Sequence, residues 1–182
     1  MRAIWTRLAL GIATLALALA SGSVSAEFSS ITCDPSGDFV TGGGFIIPDP
    51  DTGNHANFGV AGGCKNGLLW GHLEYVDHNT SPPLRVHGTG VLSYFADELD
   101  PTKTKTRWIG GTAEVNGVSG FSYCVRVTDN GEGASAALPD MFLISFSNGT
   151  TTYTASGPLV GGNIQLHTPN PLTTPSLGCV GA

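Results

Sequence analysis

Beyond residue 26 the apolar positions of this sequence recur every second residue, the period of a strand with one buried face. Phe121, Tyr123, Val125 and Val127 alternate with Ser122, Cys124, Arg126 and Thr128. Ile109, Gly111, Ala113 and Val115 alternate with Trp108, Gly110, Thr112 and Glu114, and Asn116-Gly117 joins the two runs. That dipeptide accepts the positive φ of a tight two-residue turn, so residues 107–128 are predicted to form a hairpin. The same reading predicts strands near Phe45–Ile47, Asn57–Ala61, Leu68–Val76, Val86–Phe95, Met141–Ser147, Tyr153–Ser156 and Asn163–His167. About nine short strands, spaced roughly ten residues apart with turn residues between them, predict an all-β fold. The expected form is an Ig-like two-sheet antiparallel β-sandwich of about eight to nine strands. No fixed-period repeat points to a propeller or solenoid. Ala96–Leu99 has room for a helical turn only, and Pro101 would stop it.

The ends of the chain read differently. Arg2 and Arg7 precede an apolar run from Leu8 to Ala20 in which Thr14 is the one polar side chain, and Val24-Ser25-Ala26 supplies small residues for cleavage. Residues 1–26 therefore read as a signal peptide, since that run is shorter than the roughly 20 residues a membrane span needs. Residues 27–40 are expected to form an N-terminal strap, 41–167 the β-sandwich domain, and 168–182 a Pro/Thr-rich C-terminal strap. Thr168–Ser176 carries three prolines in nine residues, which suits extended, solvated chain. Pro48–Asn54 is a loop by composition. The expected location is secreted or extracellular, cell-surface associated or free, with no membrane span after cleavage.

Charge narrows the partners. Of 182 residues only 12% are charged, and without residues 1–26 six basic and fourteen acidic side chains remain, a net charge of −8. So few Lys and Arg cannot neutralise many phosphates, which argues against nucleic acid as a partner. The four cysteines, Cys33, Cys64, Cys124 and Cys179, are widely spaced and lie in the exported part. They lack the close pairs of a zinc site and are expected to form two disulfides. Joining Cys33 to Cys179 would pin both straps, leaving Cys64 for Cys124.

Enzyme signatures are sparse. Gly117-Val118-Ser119-Gly120 continues with Phe121 where a nucleophile elbow needs Gly. Gly42-Gly43-Gly44 opens no helix, so close backbone packing is a simpler meaning than a phosphate cradle. No cofactor is expected. His72 and Glu74 share a strand face, and His78 and His87 would join them if the strands pair, as zinc ligands or as plain surface histidines. Asp129-Asn130-Gly131-Glu132 with Asp140 offers hard oxygens for calcium but also spells a turn, and Asp49-Pro50-Asp51 invites the same question. Glu74 and Glu114 sit on polar faces, where a carboxylate pair across a cleft would permit glycoside hydrolysis and where solubility alone also accounts for them. Trp70 and Trp108 fall opposite the apolar alternation, so each indole is either a stacking surface for a sugar ring or is covered by another element. Asn79-Thr80-Ser81 and Asn148-Gly149-Thr150 match glycosylation sequons.

Three stretches taken in order carry a resemblance: Thr41-Gly42-Gly43-Gly44-Phe45-Ile46, Phe121-Ser122-Tyr123-Cys124-Val125 leading into Thr128-Asp129-Asn130-Gly131-Glu132, and Gly161-Gly162-Asn163-Ile164-Gln165-Leu166-His167. Residues 41–167 resemble a small bacterial extracellular domain found beside or after choice-of-anchor surface domains. The resemblance implies a secreted β-sandwich of unassigned function, with no catalytic residues to carry across. Ala134–Leu138 departs from it as an insertion after the Asp-Asn-Gly turn. The expected function is a noncatalytic extracellular or cell-surface binding or structural module, whose partner is a carbohydrate or a cell-surface component. The alternative is a secreted hydrolase using carboxylate or His residues on a strand face.

Overall fold

Among the described residues, alternation of apolar and small polar residues produces nine strands: β1 (Phe39–Ile46), β2 (Ala56–Lys65), β3 (Leu68–Asp77), β4 (Leu84–Ala96), β5 (Thr106–Val115), β6 (Val118–Thr128), β7 (Met141–Ser147), β8 (Thr152–Pro158) and β9 (Gly161–His167). The structure is a computed structural model and describes residues 37–65, 68–97, 99–100, 105–132 and 137–167. The expected signal peptide, Cys33, Cys179 and the C-terminal strap lie outside the described residues. Strand β1 begins at Phe39, so the last two residues assigned to the N-terminal strap belong to the sheet.

All nine strands form one antiparallel sheet in the order β8-β7-β6-β5-β4-β3-β2-β1-β9. This corrects the two-sheet sandwich: the sheet is continuous and curls into a half-barrel. The reason is connectivity. From β1 to β8 every strand pairs with its neighbours in sequence, whereas an Ig-like sandwich needs Greek-key connections that pass from one sheet to the other. Irregular register at Gly88/Gly90 and Val91/Ser93 in β4 adds local bending of the kind that bulges impose. At the β5–β6 hairpin Asn116 and Gly117 take φ of 50° and 79°, the positive values their sequence predicts.

The concave face is the core. Leu73, Tyr75, Val86, Ile109, Val125, Phe142, Ile144 and Ile164 are all buried on it. The curl brings non-neighbouring strands together across it: Phe58 of β2 stacks on Phe142 of β7 with ring centroids 3.8 Å apart. Gly62 shows how close this approach is, because a Cβ there would stand 2.8 Å from the Ile109 side chain of β5. Two polar groups are also enclosed. Asp38 accepts from Arg107 and from the Tyr94 hydroxyl, and Asp77 accepts from the Tyr153 hydroxyl, which also meets that of Tyr75.

Candidate functional site

The convex face carries the chemistry predicted for the strand exteriors. In β3 the even-numbered residues point outward, so Trp70, His72 and Glu74 line up beside one another while Leu69, Leu73 and Tyr75 turn inward. Trp70 stands in a row with Gly63 of β2, Phe39 of β1 and His167 of β9. Gly63 has no side chain, so the Trp70 and Phe39 rings meet across it, with centroids 5.9 Å apart and a 52° tilt. Phe39 in turn stacks on His167 at 4.3 Å, and His167 Nε2 lies 2.8 Å from Thr41 Oγ1. The result is a half-buried aromatic group built from four strands. Phe39 and His167 escaped the sequence reading because only the pairing of the first and last strands makes them neighbours.

Trp108 also faces outward but in different company. The Arg126 guanidinium lies 5.9 Å from its ring centre, and Arg126 Nε donates to Asp97 at 2.5 Å. Burial opposes ionisation of Asp97, but hydrogen bonds from the Leu99 amide, Arg126 and Trp108, with the Arg126 charge, outweigh it and hold the carboxyl below its usual range. One face of the Trp108 ring is therefore taken, and the indole serves this cluster.

Pairing of β3 with β4 sets His87 directly opposite Glu74. His87 Nδ1 lies 2.5 Å and His72 Nε2 3.8 Å from Glu74 Oε1, on side chains about half exposed. His78 does not join them; it borders a separate hollow of about 340 Å³ with Gly53, Asn54, His55 and Asn57. Glu114 continues the Glu74–His87 row on β5 but accepts from Ser119 Oγ at 2.8 Å. Two strand spacings, about 10 Å, separate the Glu74 and Glu114 backbones, and the Glu74 side chain is about half exposed. Among the described residues no group of three or more His, Cys, Asp or Glu is placed to hold a metal ion.

The Asp129–Asp140 loop works as a clasp. Asp129 Oδ1 accepts from the Gly131 amide and Oδ2 from Leu166; Asp140 Oδ1 accepts from the Asn130 amide and Oδ2 from Ile164, all at 2.7–2.8 Å. Ile164 and Leu166 belong to the edge strand β9, so the carboxylates occupy the place of a missing neighbouring strand. Glu132 Oε1 accepts from Asn163 Nδ2 at 3.0 Å. In the Pro48–Asn54 loop, Asp49 Oδ1 likewise accepts from the Asp51 amide at 2.9 Å, as a turn requires. A hollow of about 320 Å³ lies beside the clasp, between Glu132, Asp140 and Asn163.

No protein-family model, curated protein or solved structure matches this chain. The convex face must be read from its own chemistry. Among the described residues it offers aromatic rings able to stack, around Trp70 and at the Phe45–His55 pair, an acid–imidazole cluster of His72, Glu74 and His87, and carboxylates already engaged by backbone amides.

Cys64 and Cys124 are both buried, at 7% and 2% exposure, and both are disulfide-bonded. Cys64 extends the inward series Phe58, Val60, Gly62 of β2, whereas Cys124 falls with Ser122 and Arg126 on the outer side of β6. The two residues expected to bond to each other thus face opposite sides of the sheet.

Proposed function

We propose that the protein is an exported, noncatalytic binding module that holds a carbohydrate or another ring-bearing cell-surface component against Trp70. The observation that carries this reading is the Trp70–Phe39 pair over Gly63, an amphipathic aromatic surface on the convex side of the sheet. A half-buried indole flanked by a second aromatic ring suits the flat apolar face of a pyranose ring. The N-terminal targeting pattern and the resemblance to domains found beside choice-of-anchor domains agree with an extracellular setting. Trp108 contributes less, since Arg126 and Asp97 already engage it.

A glycan array probed with residues 27–182 tests the proposal. We expect selective binding with dissociation constants in the micromolar to millimolar range, about what an open stacking surface supplies. Trp70→Ala should weaken binding about tenfold or more, a loss of about 1.4 kcal/mol, with the fold intact by circular dichroism. Trp108→Ala should have the smaller effect on binding. Equal binding by the Trp70→Ala variant would refute the assignment. Hydrolysis of a bound glycan, lost in Glu74→Gln, would transfer the reading to the alternative of a hydrolase.

A further inference from the structure

We propose that the disulfides join Cys33 to Cys64 and Cys124 to Cys179, so that each terminal segment is tied to a different side of the sheet. Cys64 and Cys124 stand on opposite faces of the sheet and cannot bond to each other. The β2–β3 register runs unshifted through Cys64 and the β6–β7 register unshifted through Cys124, so neither alternation slips. Cys64 faces the concave side with Gly62, which abuts Ile109. Cys124 faces the convex side with Arg126, which covers Trp108. Strands β3, β4 and β5 separate them in the sheet, and the β6 backbone stands between the sulfurs. A disulfide needs its Cα atoms within about 7 Å. Both cysteines are nonetheless bonded, and the sequence holds only two others.

Reach decides which goes where. Gly63 pairs with Phe39, so the next position on β2, Cys64, is level with Asp38, five residues after Cys33. Five residues are ample for Cys33 to reach it. To reach Cys124 instead, the same five residues would have to cross the mouth spanned by the Arg107–Asp38 ion pair. They would then descend the outside of β6 from Thr128 to Cys124, about 13 Å at the usual rise per residue. Five residues extend at most about 18 Å, too few for both legs. Cys179 has no such limit. Twelve residues separate it from His167, a reach of about 40 Å. The adjoining Leu166 amide is already bonded to Asp129, next to the end of β6. Cys179 is therefore within reach of the outward but buried Cys124. Each bond forms as two thiols give up two protons and two electrons to a disulfide oxidant of the secretory compartment, which departs as two thiols.

Tryptic mapping of the exported chain without reduction, with thiols blocked first, tests the pairing. Trypsin leaves Cys33 and Cys64 on one peptide ending at Lys65, Cys124 on Trp108–Arg126, and Cys179 on Val127–Ala182. We expect the first peptide alone, two hydrogens lighter than its reduced form, and a separate linked pair of the other two. A single species joining all three peptides, which either alternative pairing produces, overturns the proposal. So does a cysteine that takes up the blocking reagent in the denatured protein.

Discussion

Arg107 is fully buried, and its guanidinium is held from two sides. Nε and Nη2 donate to Asp38 Oδ2, Nη1 donates to the Thr106 carbonyl at 2.8 Å, and the Tyr94 hydroxyl occupies Asp38 Oδ1 at 2.9 Å. A buried pair adds little net stability over an apolar equivalent, but losing one partner strands the other charge. Arg107→Met should therefore cost about 3–5 kcal/mol in urea unfolding, and adding Asp38→Leu should recover part of the loss. Asp97 ties stability to pH. Its pKa is lower folded than unfolded, because the Leu99 amide, Arg126 and Trp108 favour the carboxylate more than burial opposes it. Its contribution is thus complete above the unfolded value of about 4 and is lost as pH falls through the folded value. Asp97→Asn should lower the melting temperature at neutral pH and flatten its decline in acid. An unchanged acid limb would show that other carboxylates set it.

At the scale of elements, β9 depends on its clasp. Removing a carboxylate leaves the Ile164 amide, bonded at 2.7 Å and buried, without an acceptor. Asp140→Ala should cost about 1–3 kcal/mol and speed hydrogen exchange at Ile164 before the amides of β5 or β6 respond. Because backbone amides already occupy both oxygens of Asp129 and of Asp140, millimolar calcium should leave the melting temperature unchanged against chelator. A clear rise would make those carboxylates ligands. The nine strands were legible as periodicity, and side-chain parity put Trp70 and Trp108 on the outer face. The start of β1 was not legible, because Gly42-Gly43-Gly44 offers no side chains to alternate. Nor was the aromatic group around Phe39, since no local pattern announces that β9 crosses to β1 and sets His167 beside it.

At the scale of the molecule, one sheet had to enclose its own core. Periodicity reports which side of a strand is dry but not which strand supplies the opposing layer, so a sandwich and a curled sheet read alike in sequence. The consequence is that all four tyrosines of the chain, Tyr75, Tyr94, Tyr123 and Tyr153, carry hydroxyls drawn into the enclosed side or its margin. Burial raises every one of their pKa values: Tyr123 is pushed up to about 12, and the other three rise further, opposed in part by the Tyr153 hydrogen bond at Tyr75 and reinforced by Asp38 at Tyr94 and by Asp77 at Tyr153. A phenol whose folded pKa lies above the unfolded value of about 10 favours folding below that value, and the advantage is lost as pH rises through the folded pKa. The native protein should therefore show almost no phenolate absorbance between about pH 10 and 11, where the urea-unfolded chain is largely ionised. At higher pH the phenolate signal should appear together with loss of far-ultraviolet circular dichroism, in one transition. A fraction of the tyrosines titrating near pH 10 with the sheet intact would mean that part of the concave face is open to water, contrary to a curl that brings Phe58 onto Phe142 and Tyr75 onto Tyr153.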